Sequence, residues 1–157
     1  CPVGELVTTI LLLGFVPVLA YPAQPLFPRY RSRGREGQRE LAFVFTGVGY
    51  TIAFLWALLA GVSPEIRTIC AGYFFSALFL TLCNCVLHRR ASGHACSAAG
   101  PLLFLIYYFG WWLLLPSIVI GWLVAWASVA LKRHTPTDLL WGALCSAAGF
   151  AIAVLWF

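Results

Sequence analysis

The sequence predicts an all-α integral membrane protein with six transmembrane helices in a single domain, residues 1–157. Of these 157 residues, 62% are hydrophobic and only 10% are charged, whereas soluble domains carry about 25% charged residues. The hydrophobic residues form runs close to the length of about 20 residues that a membrane-spanning helix requires. Short polar segments separate these runs, and the chain length leaves room for one domain.

The six predicted spans follow the apolar runs in chain order, and one run is too long for a single helix. Glycine and proline disfavour a continuous helix, so this run divides near Gly110 to Pro116 into the fourth and fifth spans. The predicted spans cover about Val3 to Ala23, Leu41 to Val62, Ile66 to Leu87, the two parts of Ala95 to Leu131, and Thr137 to Phe157.

The distribution of basic residues predicts the orientation in the membrane. Six spans place three loops on one side, at Arg29 to Glu40, His88 to Ser92 and Lys132 to Pro136. All basic residues except Arg67 lie in these loops. The positive-inside rule therefore places this face in the cytoplasm. The net charge of +5 suits anionic membrane lipids, and nucleic acid is not an expected partner.

Six scattered cysteines carry no recognisable metal-binding spacing. Cys83 and Cys85 are separated by one residue, and the sequence has no second cysteine pair that could complete a zinc site with them. We interpret the cysteines as small apolar packing residues within the predicted spans. They are Cys1, Cys70, Cys83, Cys85, Cys96 and Cys145.

A polar segment at the start of the last span combines a histidine with the only aspartate of the chain. Thr135 to Asp138 is typical of a helix start with Thr135 as the N-cap, which by itself would explain Asp138 as a capping residue. His134 lies four residues earlier, where its ring can approach the carboxylate. Such contact fixes the tautomer and leaves the other ring nitrogen as a nucleophile or base. Gly142 lies on the same helix face and allows close approach of a neighbouring helix.

A second polar segment opens the fourth span about 40 residues earlier. Unpaired N–H groups at a helix start attract anions, and Gly93 lets a bulky anion reach this backbone. The Ser92 hydroxyl adds a donor, and Arg89 and Arg90 supply guanidinium groups that suit phosphate. His94 would face the same anion and could protonate a leaving oxygen. Ionisable groups at membrane edges are costly, so the two segments together predict a site for a phosphorylated lipid.

At these residues the sequence resembles the type 2 phosphatidic acid phosphatase superfamily of membrane lipid phosphate phosphatases, which is related to the vanadium haloperoxidases. Arg90 to His94 resembles the SGH motif of that superfamily. His134 to Asp138, followed by Gly142, resembles its HxxxD…G motif. The resemblance covers about Cys83 to Gly149 and implies a phosphatidic acid phosphatase/haloperoxidase-like helical bundle.

The resemblance also implies roles for the residues of both motifs. His134 would be the nucleophile that forms a phosphohistidine, and Asp138 would orient its ring. His94 would be the general acid, and Ser92 and Gly93 would bind phosphate. No metal or other cofactor is expected.

The sequence departs from the family pattern in its basic residues. The family usually has an arginine where this chain has Ser128, so Lys132 or Arg133 would have to supply that charge. The family's first motif, a lysine followed by Arg-Pro, is not recognisable. In short members a basic residue two positions before the SGH serine serves instead, and Arg90 fits. The family often has proline in place of Ala91.

The expected function is hydrolysis of a lipid phosphate monoester or a polyprenyl diphosphate. The expected partners are the lipid phosphate substrate and the surrounding membrane lipids, and association into a homo-oligomer is left open. Two alternatives stay open as well. The same site could transfer the phosphoryl group to another lipid or sugar, or a degenerate member could serve as a structural subunit of a membrane complex.

Overall fold

The computed structural model describes residues 2–157, and the regular elements in this range are helices. A π-helical turn, Leu11–Phe15, joins the first two helices, and short 3₁₀ turns occupy Gln24–Leu26 and Trp111–Leu113. The α-helices are α1 (Val3–Ile10), α2 (Val16–Ala23), α3 (Pro28–Arg31), α4 (Gly34–Leu59), α5 (Pro64–Cys85), α6 (Gly93–Phe109), α7 (Leu114–Ala130) and α8 (Pro136–Trp156).

Five helical segments within the described residues are long and apolar enough to cross a membrane. They are Val3–Leu26, Gly34–Leu59, Pro64–Cys85, Trp111–Ala130 and Pro136–Trp156. These segments confirm the prediction of an all-helical, multi-pass membrane protein. Helix α6, which corresponds to the predicted fourth span, is a shorter apolar helix of 17 residues.

The predicted helix boundaries are confirmed for most spans, and the structure explains the break in the long apolar run. Gly110 ends α6 with a φ of 107° and a ψ of 162°, a backbone conformation that is accessible essentially to glycine alone. The chain then re-enters a helix through the 3₁₀ turn Trp111–Leu113. The predicted third and sixth spans lie within two residues of α5 and α8.

The prediction of a loop from Arg29 to Glu40 is wrong for most of its length. Pro28–Arg31 is helical, and α4 begins at Gly34 rather than near Leu41. Carboxylates stabilise this helical start, because Arg33 pairs with Glu36 at 3.3 Å and with Glu40 at 2.6 Å. A prediction based on the length of apolar runs misses such a polar extension of a membrane helix.

The chain comprises two compact units, Cys1–Cys70 and Ala71–Phe157, and the prediction of one domain stays a prediction. The first unit contains α1 to α4 and the beginning of α5. A buried cluster of Ala53, Ala57, Val62, Ile66 and Cys70 forms its core. The Glu5 carboxylate accepts a hydrogen bond from the backbone N–H of Ser63 at 3.1 Å, which ties the start of α1 to the start of α5.

Small residues form the helix contacts of the second unit. Gly149 of α8 lies against the backbone of α5 so closely that a Cβ there would be 2.5 Å from the Ser76 nitrogen and 2.8 Å from the Gly72 oxygen. The Ser76 hydroxyl donates to the Gly72 carbonyl at 2.6 Å and approaches the Ser146 carbonyl at 3.4 Å. Membrane helices associate through such close packing and interhelical hydrogen bonds because lipid supplies no hydrophobic drive between them.

The packing role of the cysteines is confirmed for four of them. Cys70, Cys83, Cys96 and Cys145 are buried, and the Cys83 and Cys145 sulfurs lie 3.4 Å apart. Cys85 is exposed at the end of α5 and does not pack into a core, so the prediction is wrong there. Cys1 lies outside the described residues.

Two glycine-to-alanine changes test the α5–α8 contact. Gly149→Ala must separate the helices, because its Cβ would collide with backbone, and we expect a loss of about 1–3 kcal/mol in the free energy of unfolding. Gly47→Ala is the matched control: no atom lies within 4 Å of its Cβ, so helix propensity predicts a gain of up to about 1 kcal/mol. Thermal unfolding in detergent measures both, and equal stability of the two variants would contradict this packing.

Candidate functional site

The start of α8 fixes the position of Asp138. The Thr135 side chain accepts a hydrogen bond from the Asp138 backbone N–H at 3.2 Å, and the Asp138 carboxylate accepts one from the Thr135 N–H at 3.0 Å. This reciprocal pair is a capping box, which satisfies two backbone donors that a helix start otherwise leaves unpaired. The predicted capping role of Asp138 is therefore confirmed.

The Asp138 carboxylate makes a second contact besides the capping hydrogen bond. The Oδ2 atom of Asp138 also lies 3.9 Å from the Nδ1 atom of His134, and both side chains are largely buried, at 12% and 7% exposure. This distance is longer than a hydrogen bond but within the range of an ion pair. The predicted approach of the ring to the carboxylate is confirmed, and Nδ1 is the nitrogen that faces Asp138.

The start of α6 is anchored by Ser92. Its side chain is fully buried and accepts a hydrogen bond from the Ala95 N–H at 3.3 Å, as an N-cap does. In this conformation the hydroxyl caps the helix, and its direct contact with phosphate stays a prediction. Gly93 and His94 follow as the first residues of α6, and both are exposed.

A backbone hydrogen bond joins the two helix starts. The Ser92 N–H donates to the Asp138 carbonyl at 2.8 Å. Gly142, one turn further along α8, makes room for this contact, because a Cβ there would collide with the Ser92 carbonyl and lie 3.0 Å from the Ala95 Cβ. The predicted close approach at Gly142 is thus confirmed, and α6 is the helix that approaches.

This link brings the two predicted histidines together. The ring centroids of His94 and His134 lie 5.7 Å apart, with their planes inclined by 51°. At this separation both imidazoles can reach a single phosphate group placed beside them. Their juxtaposition from separate helices was the central geometric prediction of the sequence, and the structure confirms it.

Asn84, which no sequence motif includes, positions the loop before α6. Its amide nitrogen donates to the Ala91 carbonyl at 3.3 Å, and its amide oxygen accepts from the Ala91 N–H at 3.2 Å. The two bonds hold the backbone between Arg90 and Ser92. Asn84 lies in the last turn of α5, seven residues before Ala91, and no local sequence pattern marks this pairing.

The predicted phosphate-binding cations flank the histidine pair in exposed turns. Arg89 and Arg90 precede α6, and Lys132 and Arg133 lie between α7 and α8. Lys132 has a φ of 52° and lies in the turn that connects α7 to α8. Arg90 lies near enough to Asp138 for their charges to interact. The four side chains give this end of the second unit a positive charge.

Ser128 supplies no charge at the position where the resembled family usually has arginine. Its hydroxyl donates to the Val124 carbonyl one turn earlier in α7 at 2.8 Å. Among residues 2–157 no group of three or more His, Cys, Asp or Glu side chains could hold a metal ion. The ionisable side chains that the sequence predicts for the site are two imidazoles, one carboxylate and four cations.

Comparison of the chain with protein-family models, with curated proteins and with solved structures gives no match.

Proposed function

We propose that the protein is an integral membrane lipid phosphate phosphatase that works through a phosphohistidine. One observation carries the proposal: two imidazoles from separate helix starts lie 5.7 Å apart, and one of them faces a carboxylate. A nucleophilic histidine needs a partner that orients its ring. The leaving oxygen of the substrate needs an acid on the opposite side of the phosphorus atom. His134 with Asp138, and His94, supply these three groups.

Electrostatics supports a phosphate site at the start of α6 rather than α8. The first turn of α6 contains no acidic residue, and the Ser92 hydroxyl caps only its Ala95 N–H, which leaves the N–H groups of Gly93 and His94 and the positive end of the dipole for an anion. The start of α8 already carries the Asp138 carboxylate. The segment from 86 to 138 contains four Lys or Arg residues and this single acid, which favours a dianion.

The mechanism follows from the two imidazoles. The Nε2 atom of His134 attacks phosphorus and forms an N–P bond while the P–O bond to the lipid breaks. His94, in its protonated form, donates its proton to the departing alkoxide. The neutral His94 then takes a proton from water, whose oxygen attacks phosphorus and breaks the N–P bond. Inorganic phosphate leaves, and both histidines return to their starting states.

The phosphate region lies at the ends of membrane helices, so the lipid headgroup is the part of a substrate that reaches it. A rise of 1.5 Å per residue gives α6 a length of about 26 Å, close to the hydrocarbon thickness of a thin bilayer. We therefore propose that α6 crosses the membrane as well, which gives six spans with α6 as the fourth in chain order. The basic face lies in the cytoplasm on the positive-inside rule.

Ser128 favours the second candidate, a degenerate structural subunit, because a phosphate-binding arginine is absent there. Against it, His94, Arg90 and Arg133 are exposed rather than covered by a packed segment of the described chain. A phosphotransferase would use the same first step with a lipid or sugar alcohol in place of water. Analysis of the phosphorylated products separates the transferase from the hydrolase.

Removing the nucleophile tests the proposal. We expect His134→Asn to lower phosphate release from a panel of lipid phosphates by about 10³-fold or more, because no N–P bond can form. His88→Asn is the matched control. His88 is an exposed histidine with a φ of 50° directly before Arg89, and asparagine tolerates that conformation.

The two variants are compared in detergent micelles after their folding has been checked by thermal unfolding. The proposal requires activity in His88→Asn and its loss in His134→Asn. Equal phosphate release from both variants, or none from the wild type on any lipid phosphate or diphosphate, would reject it.

A second pair of variants separates the two roles of Asp138. Asp138→Asn keeps a carbonyl oxygen to accept the Thr135 N–H but loses the charge facing His134, so we expect a rate loss of about 10²-fold or more with little loss of stability. Thr135→Val removes the capping oxygen and should cost about 1 kcal/mol of stability while the rate is kept. Wild-type turnover in Asp138→Asn would leave Asp138 as a capping residue only.

A further inference from the structure

An apolar groove of about 610 Å³ lies on the second unit between α6, α7 and α8. Its volume falls within the range of about 300–1,000 Å³ that small-molecule sites occupy. Alanine, glycine, leucine, valine, proline and tryptophan line it, and no charged side chain does. The stacked rings of Trp122 and Trp126, with centroids 6.4 Å apart, belong to its α7 wall.

One end of the groove is lined by residues from the helix starts that carry the two histidines. Ala95 lines the groove and follows His94 directly in the chain. Pro136 lines it two residues after His134, and Leu139 lines it directly after Asp138. From Ala95 it follows α6 to Leu102, a distance of roughly 10 Å at the helical rise. The helix starts that carry the two imidazoles therefore adjoin a groove that no charged side chain lines.

We propose that this groove binds the hydrocarbon tail of the substrate lipid next to its phosphate. The inference rests on the proposed function, which places the phosphate at His94 and His134. A lipid held there must direct its first methylenes along α6 and α8, and the groove is the apolar depression at that place.

Shape rather than hydrophobicity gives this binding its selectivity. Bilayer tails are as apolar as the groove, so transfer from lipid to groove gains little hydrophobic energy. The alanines of the groove floor provide space that a larger side chain would fill. Blocking this space should displace a tail that is tethered to the site and leave the surrounding bilayer unaffected.

The test uses photo-crosslinking and does not require turnover. The probe is a phosphatidate with a diazirine on the proximal half of one acyl chain, and the protein is the His134→Asn variant in nanodiscs. Peptide mapping should place the label on the groove faces of α6, α7 and α8. Adding Ala98→Phe should lower this label about tenfold or more, as expected when a shaped apolar site is filled.

Ala148→Phe is the matched control, because Ala148 is exposed on α8, does not line the groove and lies off the helix face of Pro136, Leu140 and Ala143, and it should leave the label unchanged. Ala125→Leu fills the groove from α7 and provides a second variant should Ala98→Phe fail to fold. The same probe without its phosphate, a diacylglycerol, should label the groove far less.

Three results would overturn the inference: equal labelling by the phosphate-free lipid, equal labelling after both groove-filling changes, or cross-linked dimers with the groove protected. The first two indicate bulk lipid, and the third indicates a second copy of the chain. Failure of the proposed function is seen separately, as absent phosphate release from the wild type while phosphate-dependent groove labelling persists.

Discussion

The candidate site depends on one backbone hydrogen bond, from the Ser92 N–H to the Asp138 carbonyl, at 2.8 Å. The bond brings the starts of α6 and α8 to the same depth, and Gly142 permits it because a side chain there would collide with the Ser92 carbonyl. Membrane helices rely on such close approach of small residues, since lipid does not drive them together. With the two starts joined, the ring centroids of the histidine at each start lie 5.7 Å apart.

The two helix starts that this contact joins differ in charge. Helix α8 begins with Asp138, which caps it and faces His134, whereas the first turn of α6 has no acidic residue. The start of α8 can therefore orient the His134 ring, whereas the start of α6 has backbone N–H groups that can bind an anion. Four cations in the flanking turns would strengthen the attraction for the proposed phosphate. The apolar groove that starts at Ala95 lies along α6, α7 and α8, where the tail of the proposed lipid substrate would be placed.

Much of this arrangement could be predicted from the sequence because membrane-length apolar runs and helix caps are local signals. The break at Gly110 and the capping box at Thr135 are examples. The polar start of α4 at Gly34 was missed because apolar runs do not mark where ion-paired residues such as Arg33 and Glu40 extend a helix. Asn84 was missed for another reason: its bonds to Ala91 depend on a loop conformation that no local pattern shows. The burial of the Ser92 side chain likewise depends on packing against α8.

The most direct test of the account is a crystal structure of the protein soaked with orthovanadate, a mimic of the phosphoryl group in transfer. The account predicts vanadate between the two imidazoles, bonded to Nε2 of His134 and within hydrogen-bond reach of His94, with the α6 N–H groups on its oxygens. Imidazoles that point to different helices, or vanadate bound elsewhere on the basic face, would contradict it.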